Sequence, residues 1–164
     1  MAKKKIDLGM IATLCAAVLG VIAIIMIALP AVKVIDVDET YKGWDVVFGY
    51  IYTASAGGLT VSTEVFKFSF MNLLTYLFVI VGIVCTVLNY LGKGGKYMNL
   101  IATVAFIIAG IFFFLSVAFS VPVSKFNTTE KLREKLELGA GAIIGGICSI
   151  LAAVASGYKA FIAK

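Results

Sequence analysis

The chain has no histidine, two prolines, three cysteines and few charges, which make up 14% of its 164 residues. Each scarcity excludes something. Without histidine it lacks the commonest metal ligand and the only side chain that titrates unperturbed near neutral pH. A secreted disulfide framework would place an even number of cysteines in polar loops. Cys15, Cys85 and Cys148 instead lie within apolar stretches, and read as reduced, packed thiols. Pro30 and Pro122 fall at the ends of apolar stretches, so the chain lacks the broken helices of many transporter sites. The net charge is +5, but the basic residues flank apolar segments and form no aromatic-interleaved patch. Nucleic acid is therefore not an expected partner, and no cofactor or metal is expected.

What the chain has is hydrocarbon. Hydrophobic residues make up 62% of it, against roughly 45–50% in soluble domains. A small globule cannot hide that excess, so lipid must take it up. About 20 apolar residues cross a bilayer as a helix. Four stretches qualify, at about 8–29, 70–91, 98–121 and 138–162, and the whole chain reads as one membrane domain. The first could be mistaken for a secretory signal. It is longer than the 7–15 apolar residues typical of one and leads into Leu29-Pro30-Ala31, a poor cleavage site, so a retained helix is expected. No ionisable group crosses the centre of any span, and buried charges normally mark the path of a transporter.

With the N-terminus inside, Lys and Arg divide seven against seven between the two sides. Charges beside helix ends in short loops weigh most. The triplet Lys3, Lys4 and Lys5 and the turn holding Lys93 and Lys96 therefore favour cytoplasmic termini in a cell membrane. Tyr90 and Tyr97 suit an interfacial belt.

The segments between the spans differ. In the first, 31–69, Val46–Tyr52 is β-branched and aromatic, with Phe48, Tyr50 and Tyr52 on one face at a period of two. A second run, Leu59–Phe70, places Leu59, Val61, Thr63 and Val65 on one face and Phe66, Phe68 and Phe70 on the other. Gly57-Gly58 between the runs suits a hairpin turn. With an extended piece at Val32–Val37, the segment reads as one small antiparallel sheet of three or four strands on the outer mouth of the bundle. In the second, 122–137, Val121–Phe126 could add an edge strand. Asn127 reads as an N-cap with Glu130 three residues on, opening a helix with Leu132 and Leu136 on one face.

Candidate sites are few. Trp44, Phe48, Tyr50, Tyr52, Phe66 and Phe68 are either a contact surface or the core beneath it. A sheet lying on a bundle must pack one face down, so most are expected to be structural; exposure of more than about three favours an interface. Gly139, Gly141, Gly145 and Gly146 open the fourth span with small-x-x-x-small spacing, which lets helix backbones approach closely. Packing within the chain is the simpler reading and self-association the other. Asp36, Asp38, Glu39 and Asp45 lack the dense ligand spacing of a calcium loop and read as a solvated turn. No nucleophile has a plausible base, so the chain is not expected to be an enzyme.

Four spans, a large strand-rich first outer segment holding Gly43-Trp44, a short second one, and Glu137-Leu138-Gly139-Ala140 opening the fourth helix together resemble the claudin-like tetraspan superfamily. That family includes claudins, peripheral myelin protein relatives and calcium-channel gamma subunits. The family's paired cysteines after the tryptophan are absent here. The resemblance implies an extracellular sheet on a membrane all-α four-helix bundle, used for contact with other membrane proteins or lipids. The expected role is non-enzymatic: assembly through the outer sheet and small-residue helix faces, as a homo-oligomer or an accessory subunit. The alternatives are an oligomeric small-molecule or lipid transporter, whose cavity the threonines and Asn89 would line, and a membrane anchor for a soluble enzyme.

Overall fold

The computed structural model describes residues 8–35, 37–123 and 128–162. In chain order, α1 (Leu8–Ile25) ends in a short 3-10 turn and leads into β1 (Pro30–Val34), β2 (Thr40–Lys42) and α2 (Gly43–Phe48). The hairpin β3 (Tyr50–Ala56) and β4 (Leu59–Lys67) follows, then the long helices α3 (Phe70–Tyr90) and α4 (Gly95–Phe114). Next come α5 (Ser116–Phe119), β5 (Val121–Pro122), α6 (Thr129–Arg133), β6 (Leu136–Leu138) and α7 (Ala140–Phe161). Among the described residues, four helices are long and apolar enough to cross a membrane. They are α1 with its 3-10 extension, α3, α4 and α7. All the short elements gather at one end of the bundle as a cap.

α1 packs against α3 and α7, and α4 packs against the same two. Each helix turns inward a stripe of residues whose spacing alternates between three and four. The stripes are Gly9, Thr13, Ala16, Gly20, Ala23 on α1; Asn72, Thr75, Val79, Gly82, Thr86 on α3; Asn99, Ala102, Phe106, Ala109, Phe113 on α4; and Ala142, Gly145, Ser149, Ala152, Ser156 on α7. That mean period of 3.5 is the repeat of left-handed coiled packing. Most of these residues are small, so the backbones approach closely where lipid supplies no hydrophobic drive between helices. The bulk faces outward: Leu14, Val18, Ile80, Val84, Ile107, Ile147 and Val154 are all exposed, as a lipid solvent allows. The Phe106 ring, fully buried, lies against both Gly20 and Gly82. It bridges α4 to α1 and α3.

A tight turn joins α3 to α4. Gly92 takes φ +73°, its N–H donates to Asn89 O, and Lys93 N–H donates to Leu88 O. This is the Schellman geometry that satisfies the last carbonyls of a helix, and it needs a left-handed residue.

The cap departs from the single sheet expected. It holds two three-stranded antiparallel sheets, ordered β2-β1-β6 and β3-β4-β5. The segment before α7 supplies one strand to each, because β1 and the base of β4 otherwise have open edges. β1 takes Leu136–Leu138 as its second neighbour, and Phe66 and Lys67 take Pro122 and Val121. Leu136 therefore sits in a strand, not on a helical face with Leu132. The helix that follows Thr128 is only five residues long. Asp36, Asn127, residues 124–126 and the lysine triplet lie outside the described residues.

Phe48 is the second correction. Val46–Phe48 is helix, not strand. The Asp45 carboxylate accepts the Lys42 N–H at 3.0 Å and caps the first turn of α2. The turn buries Val46 and Val47, and Gly49 at φ +95° stops it. The local cap and stop override the β-branched composition. The third span is also shorter than expected. α4 ends at Phe114, and the helix is interrupted at Leu115 before α5.

Candidate contact surface and the polar joint beneath it

Tyr41 holds the two sheets together. From β2 its ring meets Phe66 edge-on at 4.9 Å and Tyr50 at 5.7 Å, so one phenol touches both strands of the hairpin base. Its hydroxyl donates to Glu39 Oε2 at 3.0 Å. Partial burial, that bond and the Glu39 charge all favour the neutral phenol and raise its pKa to about 12. Beside it, Pro30, Thr40, Tyr41, Lys42, Trp44, Asp45 and Tyr50 line an open cleft of about 330 Å³. Lys42 Nζ lies 5.5 Å from the centre of the Trp44 ring.

The six aromatics singled out by sequence separate. Phe66 is buried, Tyr50 half-buried, and Trp44, Phe48, Tyr52 and Phe68 are exposed. Four exposed rings exceed the number expected of a purely structural set. They are not one patch. Phe48 and Phe68 flank the junction where Ser69 N–H donates to Val47 O, next to the exposed Phe70 and Met71 that start α3. That is the rim of the bundle, where aromatic rings suit a membrane interface. Tyr52 stands on the hairpin instead, and Trp44 on the cleft.

The hairpin projects. Gly57 and Gly58 both take positive φ, +58° and +82°, the turn whose twist matches the strands. One face carries paired hydroxyls, Thr53 with Ser62 and Ser55 with Thr60. The other carries Tyr52, Leu59 and Val61, all exposed. β5 reaches β4 only at its base, and among the described residues nothing pairs with the far edge of β3.

The glycines of α7 face their own chain. A side chain at Gly145 would strike the Phe113 ring, one at Gly146 the Phe114 ring, and one at Gly141 Met26 O and Pro30 O. Gly139 abuts the Pro30 carbonyl and donates its N–H to Ala31 O at 2.8 Å. These contacts seat α7 against α1 and α4.

Beneath the cap is a polar joint that the sequence reading missed. Ser69 caps α3, accepting the Asn72 N–H, and donates its own hydroxyl to Phe119 O at 2.6 Å. Asn72 Nδ2 donates to Ser116 O, which also accepts from Ser120 Oγ. Arg133 Nε reaches Ser120 O at 2.8 Å. The helix interruption at Leu115 brings these groups together. The cue in the sequence is Ser69 three residues before Asn72, an N-cap spacing at the head of the second span.

In the bundle, Thr13, Thr75, Thr86 and Thr103 each donate to the carbonyl four residues earlier. Such back-bonding occupies the hydroxyl hydrogen. Among the described residues no group of three His, Cys, Asp or Glu side chains could hold a metal. Comparison with protein-family models, curated proteins and solved structures returns no match to this chain.

Proposed function

We propose that the protein is a non-enzymatic, multi-pass membrane protein that works by contact, assembling with itself or serving as an accessory subunit of another membrane protein. The β3–β4 hairpin carries this reading. A two-stranded hairpin is marginal on its own in water, yet this one stands out from the cap with exposed Ile51, Tyr52, Leu59 and Val61. Its free edge, β3, contains no charge and no proline, the devices that ordinarily guard an edge against pairing. Such an element is completed by a partner. The cap faces the cell exterior and both termini the cytoplasm, by the placement of lysines near the helix ends.

The layout is claudin-like in this reading, with the aromatic cluster at Tyr41 and the joint at Ser116 holding the cap where the family uses a cysteine pair. The test is pull-down from native membranes with a tagged chain. Wild type recovers a partner or a second copy; Tyr52→Lys with Val61→Lys, which charges the apolar face of the hairpin, loses it while the bundle stays folded. Unchanged recovery would refute the role of the hairpin.

Transport by an oligomer is the second reading. It draws on Asn99 Oδ1, Ser149 Oγ and Ser156 Oγ, buried atoms without a partner among the described residues. The back-bonded threonines and the Phe106 ring across the bundle count against a continuous path. Substrate flux in liposomes separates the two.

A further inference from the structure

Between the cap and the bundle lies a small chamber of about 10 Å³, lined in part by the buried residues Asn72, Thr75, Tyr76 and Ser116. Its floor belongs to α3 and α5; Gly43, Val46 and Val47 of α2 close it from above and Ala142 of α7 from the side. Ser116 is buried, and its Oγ has no partner among the described residues. We propose that this chamber is a binding site for a single ordered water, which joins the cap to the bundle. The volume is about the smallest that can hold one water, and a buried water needs two to four polar partners. The lining offers four.

The donor inventory orients the ligand. Thr75 has committed its hydrogen to Met71 O, so its oxygen can only accept. A water donates there and accepts from, or donates to, the free Ser116 hydroxyl; Tyr76 and Asn72 supply the remaining capacity. A cation is a poor occupant, because no carboxylate lines the chamber. Gly43 keeps the roof low: a Cβ there would stand 2.5 Å from Tyr76 Oη and 2.8 Å from the Ile27 backbone.

The test is a structure of the full chain in lipid at a resolution that shows ordered water. The expected result is density within hydrogen-bond distance of Ser116 Oγ and of at least one of Thr75, Tyr76 and Asn72. Ala142→Val, which puts two methyl groups toward the chamber, should remove that density and leave the helices in place. Density that persists in Ala142→Val overturns the site, as does a Ser116 hydroxyl turned back on its own helix with nothing beside it. Thermal melting gives an independent sign. Ser116→Ala lowers Tm if the hydroxyl binds water and raises it if the hydroxyl is merely desolvated; a rise contradicts the proposal.

Discussion

Substituting Gly82 by alanine tests the packing logic of the bundle with one carbon atom. The new Cβ would lie 2.7, 2.8 and 2.9 Å from three carbons of the Phe106 ring. Real Cβ atoms do not approach so closely, and the ring has Gly20 of α1 on its other contact, where a Cβ would come within 3.0 Å. Helix or ring must shift, a form of overpacking that costs about 1–3 kcal/mol. Gly157 on α7 is the control, because its Cβ would meet only Thr103, at 3.5 and 3.8 Å. There the alanine should be neutral or stabilising, by up to about 1 kcal/mol from helix propensity. Reversible unfolding in mixed micelles measures both. Phe106→Leu in the Gly82→Ala background should recover part of the loss, with a coupling of about 0.5–3 kcal/mol in a double-mutant cycle. Equal stabilities for Gly82→Ala and Gly157→Ala, or strict additivity with Phe106→Leu, would refute the seating of Phe106 between two glycines.

Other outcomes follow from the cap. Gly49→Ala should destabilise the α2–β3 junction by roughly 1–3 kcal/mol, since φ is +95° and a Cβ would meet Phe66 O at 2.9 Å; proteolysis of the hairpin reads it. Tyr41 should titrate near pH 12 by phenolate absorbance, in a band that Tyr41→Phe removes. Its folded pKa is raised above the ordinary 10, so its contribution to stability is complete below pH 10 and lost as pH climbs toward 12. Glu39→Gln should move the titration back toward 10. Leu59→Cys, at the exposed end of the hairpin, should react with an impermeant maleimide added outside intact cells; reaction only after lysis reverses the orientation.

The four long helices were legible because length and hydropathy alone define a span, and only their ends moved. The hairpin was legible from Gly57-Gly58, two glycines between alternating runs. α2 was not, since Val46 to Phe48 looks extended by composition, and only the Asp45 cap and the stop at Gly49 make it helical. The edge strand starting at Val121 was legible, but the division into two sheets was hidden because β6 also comes from the segment before α7, and strands of two or three residues carry no periodicity of their own. The inward stripes were obscured for a different reason. Lipid accepts large apolar residues outside, so polarity does not mark the inner face; the 3.5 repeat of small residues does, and it is visible from Gly9 to Ala23 once size replaces hydropathy as the criterion. The joint at Ser69, Asn72 and Ser116 depends on a helix interruption at Leu115 that no proline or glycine announces.

The native mass of the protein extracted in mild detergent decides whether it works by assembly. The expected result is a complex, either a defined multiple of the chain or the chain with a membrane partner, that Tyr52→Lys with Val61→Lys reduces to the monomer. A lone wild-type monomer that carries substrate across liposome membranes would contradict it.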